Sequence, residues 1–283
     1  MAEENGFISL LDHVKWGEWS LISLYISLVS GIVVGIHYSP AEPFYSSSAL
    51  DILVPYGTFF RSLHFYSSQL FFLCAVVHYL VTFEKSRSFS TNQFVFLILS
   101  LPCILMLLFT GYVLRADATG YSAGMIAEHI LVTVPLIGKH LNNMLFAITD
   151  HGMYRVYLHH VISFDLLFLY LVWDHLRRHR ANLSGNLLFF IVMLIFSLFI
   201  AAPMDPDQLG TSYITGPWFF LGLQELLRYL PPFIAGIIVP AMLIAALLLL
   251  REDHRWYRRI LLFIFGWLGC YAILTILALT AHG

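Results

Sequence analysis

Several stretches of this 283-residue chain stay apolar for about 20 residues, the length a helix needs to cross the hydrocarbon core of a bilayer. With 59% hydrophobic and 11% charged side chains, the composition is outside the range of soluble domains. The expected fold class is an all-α membrane protein of seven transmembrane helices. They run from about Trp19 to Tyr38, Arg61 to Glu84, Gln93 to Leu114, Tyr154 to Leu176, Leu187 to Pro203, Phe233 to Leu250 and Ile260 to Ala281. Pro102 predicts a kink in the third. Residues 115–150 are too mixed to span, and MIAEHILVTV within them predicts an interfacial helix before the turn at Pro135–Gly138.

Two of the spans carry histidines in matched pairs. His64 and His78 are fourteen residues apart, which returns the second to within about 40° of the first and about 21 Å further along the axis. His160 and His175 are fifteen apart and about 60° out of phase, whereas His159 would be about 160° from His175. A lone apolar-face histidine is readily a core residue satisfied by a hydroxyl or carbonyl. Four in two pairs on two helices fit bis-imidazole ligation of two haems within a four-helix bundle, since ionisable groups at membrane depth are costly and usually functional. Gly17 and Gly31 repeat the spacing of fourteen on the first span, and Gly111 lies on the third. Small residues here also suit ordinary helix packing.

Cys74, Cys103 and Cys270 all lie in apolar runs and read as buried small hydrophobes. No Cys-x-x-Cys-His occurs, so covalent haem is not expected, and an iron–sulfur centre would have to belong to a partner. A net charge of −2 gives no hint of nucleic-acid binding. The acidic, amphipathic start MAEENGFISLLDHVKWGEW lacks the features of a signal peptide and is expected on the inner face. Placing it there puts ten Lys and Arg on the inner side: Lys15, Lys85, Arg87, Arg177, Arg178, Arg180, Arg251, Arg255, Arg258 and Arg259. Five are left outside, Arg61, Arg115, Lys139, Arg155 and Arg228, which agrees with the positive-inside rule and puts the C-terminus on the outer side.

These residues together resemble the cytochrome b and b6 family of quinol-oxidising bc complexes. RSLH at Arg61–His64, Arg155 five residues before His160, GYVLRADATGYSAG through Pro135–Gly138, and GPWFFLGLQELLR in place of the Pro-Glu-Trp-Tyr signature carry the likeness. The resemblance selects His160 over His159 and implies a b6-like dihaem four-helix bundle over residues 1–183, with a subunit IV-like three-helix part fused over 184–283. It implies two haem b, with His64 and His160 on one and His78 and His175 on the other, Gly17, Gly31 and Gly111 giving the haem faces room, and Arg61 and Arg155 meeting propionates. For Arg61 the alternative is snorkelling to the interface. It further implies menaquinone or ubiquinone as substrate, and an outer quinone site with Gly120, Tyr121, Pro217, Trp218 and Phe219. The setting would be an energy-transducing membrane, bacterial inner membrane included, and a multi-subunit complex, a dimer included, with Rieske-type, cytochrome c-type or other iron–sulfur electron-transfer subunits.

Departures from the family pattern set further expectations. Pro217 replaces the acidic residue that takes a proton from quinol, so another base is needed: Glu225 first, then Asp117 and Glu128. Glu225 could instead pair with Arg228. Val81 replaces an arginine and leaves Lys85, Arg87 and Arg177 as candidate inner propionate partners, Leu97 replaces a haem-facing glycine, and Lys15 replaces the cysteine that anchors an extra haem. A haem-bearing anchor that conducts electrons to a single quinone site without bifurcation is the competing reading.

Overall fold

The computed structural model describes residues 14–86, 88–210, 214–250 and 255–281, all helix, turn or irregular chain. The readings placed on residues 1–13, Arg87 and Arg251 fall outside the described residues. In chain order the principal helices are α1 (Trp16–His37), α2 (Pro43–Leu53), α3 (Gly57–Ser86), α4 (Thr91–Leu114), α5 (Ala118–Val132), α6 (Gly138–Leu145), α7 (Met153–Leu158), α8 (Phe164–Leu176), α9 (Leu187–Phe199), α10 (Leu221–Leu226), α11 (Val239–Leu249) and α12 (Tyr257–Ala281). A π turn, His159–Ser163, joins α7 to α8 in one helical span, and another, Ile234–Ile238, leads into α11.

Five helical stretches among the described residues are long and apolar enough to cross a membrane: Trp16–His37, Gly57–Lys85, Thr91–Leu114, Met153–Leu176 and Tyr257–Thr280. The fifth and sixth expected spans correspond to shorter apolar helices, Ser184–Phe199 and Ile234–Leu249. Sixteen residues rise only about 24 Å, less than the roughly 30 Å hydrocarbon core. The fifth stops because the chain turns extended at Ile200 and irregular through Pro203. Helix α4 runs unbroken through Pro102.

The chain divides into two compact units, interleaved in sequence. One comprises residues 1–38, 45–94 and 169–203, the other 39–44, 95–168 and 204–283. In the first, α1 packs along α3 through a stripe of buried serines, Ser20, Ser23, Ser27 and Ser30, whose small side chains let the two backbones approach. Ile22, Ile26, Leu63 and Met193 form the core, and α9 closes it with Phe189, Phe190 and Leu194. Trp19 stacks on Phe189 and donates to Asn186 Oδ1, fixing the start of α9.

In the second unit the chain reverses between α4 and α5 at Ala116, whose φ of 53° is left-handed. Asp117 then caps α5, Oδ1 accepting from Gly120 N at 2.8 Å. Glycine is required at 120, because a Cβ there would lie 2.5 Å from Tyr112 O. Further along, α10 packs on α12, with Tyr271 Oη donating to Phe219 O at 2.7 Å. Cys74 and Cys103 are buried as expected, but Cys270 is exposed, because α12 turns most of its apolar side chains outward and the cysteine shares that face.

Candidate haem cradle and apolar cavity

In the first unit, α1 presents Gly17 to His78 and Gly31 to His64. A Cβ built at Gly17 would lie 2.9 Å from the His78 ring, and one at Gly31 would lie 2.8 Å from the His64 ring. Both glycines therefore serve the imidazoles as well as helix packing. His64 is fully oriented: Nδ1 donates to Ser27 O at 2.9 Å, which leaves Nε2 with the lone pair. His78 and His175 have ring centroids 6.0 Å apart at 58°. Two imidazole–metal bonds of about 2 Å each, with half a ring on either side, give opposed ligands a centroid separation of about 6 Å. The residues present therefore fit a bis-imidazole iron. His175 also stacks on His179, centroids 4.5 Å apart.

The second unit repeats the arrangement on α4. A Cβ at Gly111 would lie 3.0 Å from the His160 ring. Thr110 Oγ1 gives its proton to Met106 O at 2.7 Å, so toward His160 Nδ1, 3.0 Å away, it accepts, and Nε2 again carries the lone pair. His159 is committed elsewhere, to Met144 O at 2.8 Å and Ser163 Oγ at 3.0 Å. Where α4 carries Leu97 instead of a fourth glycine, the side chain is half-buried.

The π turn resolves the unequal spacing of the two histidine pairs. It takes up about one residue more than an α turn. Fifteen residues from His160 to His175 then advance like fourteen, and the phase error falls from about 60° to about 40° in the sense of His64 and His78.

Arg61 and Arg155 already have partners. Arg61 Nε and Nη2 form a two-pronged pair with Asp51 at 2.7 and 2.6 Å, and Nη2 also reaches Ala202 O. Among the described residues Nη1 meets Pro203 O alone, at 3.4 Å, leaving that edge for a second anion. Arg155 donates to Asp150 O at 3.2 Å. At the other end, Lys85 is exposed and Arg177 pairs with Asp174 at 2.8 Å, both sides more than half exposed, while Lys15 lies 3.6 Å from Glu18.

A largely apolar cavity of about 180 Å³ opens in the second unit. Phe109, Phe146, Ile130 and Phe220 supply apolar walls, and Pro217 lies among them. Gln224 braces one side, accepting from Gly216 N at 2.7 Å and donating to Ile214 O at 2.7 Å. Trp218 and Phe219 follow Pro217 in the chain but do not line the cavity; Trp218 is half exposed and Phe219 buried. Gly120 and Tyr121 are also off its wall, where Thr119 and Ser122 take their place.

None of the three candidate bases lines the cavity. Asp117 accepts from Gly120 N on one oxygen, with Thr119 Oγ1 3.1 Å away, and from Asp205 N and Arg115 on the other, so it is a cap and a tie. Glu128 accepts from Asn142, from Thr149 Oγ1 and from Thr149 N, anchoring the chain after α6. Burial raises its pKa, but those hydrogen bonds, with one from Ile148, hold it below the ordinary glutamate value. Glu225 is buried beside lining residue Gln224 and accepts from Tyr229 Oη at 2.9 Å; Arg228 Nε stands off at 3.9 Å. The expected Arg228 pair is thus the weaker contact. Ser27, Thr110 and Asp51 went unread in the sequence.

Residues 9–181 match the sequence model of the family described as cytochrome b/b6/petB. Cytochrome b of Eptatretus burgeri is 25% identical over 83% of this chain and 71% of its own length. That of Acrochordus granulatus is 24% identical over 88% of the chain and 77% of its own. A solved structure titled hyperthermophilic respiratory Complex III superposes with a TM-score of 0.70 over 94% of this chain and 83% of its own, at 20% identity, which shows a shared fold. With its family match covering more than half the sequence, the chain belongs to the cytochrome b/b6 family of membrane electron-transport proteins.

Proposed function

We propose that the chain is the dihaem cytochrome b subunit of a quinol:acceptor oxidoreductase, crossing the membrane seven times with its N-terminus cytoplasmic. The observation that carries this reading is that three glycines each face a histidine ring so closely that a Cβ there would press on the ring, two of those rings having Nδ1 fixed by an acceptor. His64 with His160, and His78 with His175, would hold two haem b. Bound haem supplies one-electron redox chemistry. Ser27 and Thr110 set the imidazole tautomers, and Arg61 Nη1 and Arg155 would offer charge to propionates. The apolar cavity would take the ring of menaquinol or ubiquinol and keep water out. External electron acceptors of the Rieske, cytochrome c or other iron–sulfur type would complete the complex. The division at 183/184 into b6-like and subunit IV-like parts belongs to the same proposal.

Of the three carboxylates expected as bases, hydrogen bonds saturate Asp117 and Glu128, so Glu225, adjoining Gln224, is the one we assign. Adding quinol to the haem-loaded complex is expected to reduce the b haems, more slowly in Glu225→Gln with haem content intact. Pro217 on the cavity wall favours the competing anchor without bifurcation. With the inner quinone site blocked, added oxidant should drive extra b-haem reduction; no extra reduction, with quinol and acceptor present, selects the anchor.

A further inference from the structure

One polar group on the cavity wall is connected to charge beyond it. Thr119 Oγ1 accepts from Arg115 Nη2 at 2.7 Å and lies 2.8 Å from Asp205 Oδ2 and 3.1 Å from Asp117 Oδ1. Because the hydroxyl oxygen already accepts from a guanidinium, its own proton is turned toward the carboxylates. Asp117 is fully buried, with both oxygens engaged. Asp205 is the carboxylate with an exit: its contact to Thr119 is the shorter and its side chain is 41% exposed. A continuous contact therefore leads from the cavity wall through one hydroxyl to a carboxylate that meets water.

We propose that Thr119 and Asp205 form the exit for a proton released when quinol is oxidised in this cavity, an inference that rests on the quinol reading above. The quinol O–H bond breaks and its proton goes to Thr119 Oγ1, while the proton on that oxygen passes to Asp205 Oδ2. Asp205 then hands it to water. The accompanying electron leaves to a one-electron acceptor, a ferric haem or added ferricyanide. Quinol releases two protons: this route carries one, supplying what Pro217 cannot, and leaves the other to Glu225, assigned above. Arg115 orients the hydroxyl and is a positioning residue.

The same cluster also ties residues 205 and 206 to the start of α5, through Asp205 N to Asp117 and Ala118 N to Pro206 O. Those two bonds use backbone N–H groups and survive Asp205→Asn, which separates the tie from the relay. In the haem-loaded complex, Asp205→Asn and Thr119→Val are expected to slow quinol-driven haem reduction about 10²-fold, the scale of a lost proton-transfer group. Haem content and the dithionite-reduced spectrum should stay at wild type, with an altered pH profile and an unchanged quinol KM. Thr119→Ser should restore the rate. Time-resolved infrared should show a transient carboxylic-acid C=O band in wild type that Asp205→Asn lacks. Wild-type rates and pH profiles in both variants would overturn the relay, as would equal slowing in Thr119→Val and Thr119→Ser, which marks a packing role. A wild-type complex reducible by dithionite but not by quinol would defeat the quinol reading and the relay with it.

Discussion

Gly31 and Gly17 reverse the usual cost of glycine in a helix. Alanine in a helix interior is ordinarily better by about 0.5–1 kcal/mol, so Gly31→Ala should help α1 if the glycine were there only for the helix. A Cβ 2.8 Å from the His64 ring predicts the opposite where it matters. Gly31→Ala should keep the fold and lose haem from the His64 site, measured as haem per chain alongside helix content by circular dichroism; full haem retention would make the glycine a packing residue. The histidine pairs, and Gly17 with Gly31, stand out in the sequence because each pair repeats at a helical period on its own span. Ser27, Thr110 and Asp51 were not, because a second partner on another helix, 37, 50 or 10 residues away, leaves no periodic trace in the sequence. Glu225 was legible as a candidate base but not as a residue off the cavity wall, because the short α10 that carries it follows a 3₁₀ turn and not a continuous α-helix.

At the scale of elements, the π turn is the device that regular-helix arithmetic could not foresee. Deleting Ile162 should convert it to an α turn, leave fourteen residues between His160 and His175, and preserve haem binding. Deleting Leu167, in regular helix, should rotate His175 by about 100° and lose a haem. Equal haem loss from the two deletions would remove the π turn from the account. Glu128 makes a prediction about the α5–α6 region. Its folded pKa is depressed below the ordinary 4.5, so its contribution is fully present above that value and is lost as pH falls through the folded one. Limited proteolysis around residues 133–150 should accelerate at acid pH in wild type, and Glu128→Gln should already be cleaved faster at pH 7, with a flatter acid dependence. The number of apolar segments was legible from hydropathy, but not that two of them would form helices too short to cross alone, since a chain that turns extended at Ile200 is as apolar as one that stays helical.

For the whole molecule, the proposed seven crossings and the Lys and Arg distribution predict termini on opposite sides of the membrane. Reporter fusions should find the N-terminus cytoplasmic and the C-terminus outside. The central claim is that this one chain holds two haem b on four histidines, and one measurement meets it directly. Haem per chain, quantified as pyridine haemochrome with electron paramagnetic resonance of the oxidised protein, should give two low-spin bis-histidine signals in wild type. His160→Ala should remove one of them and His175→Ala the other. A single haem in wild type, or both signals surviving His160→Ala, would contradict the account.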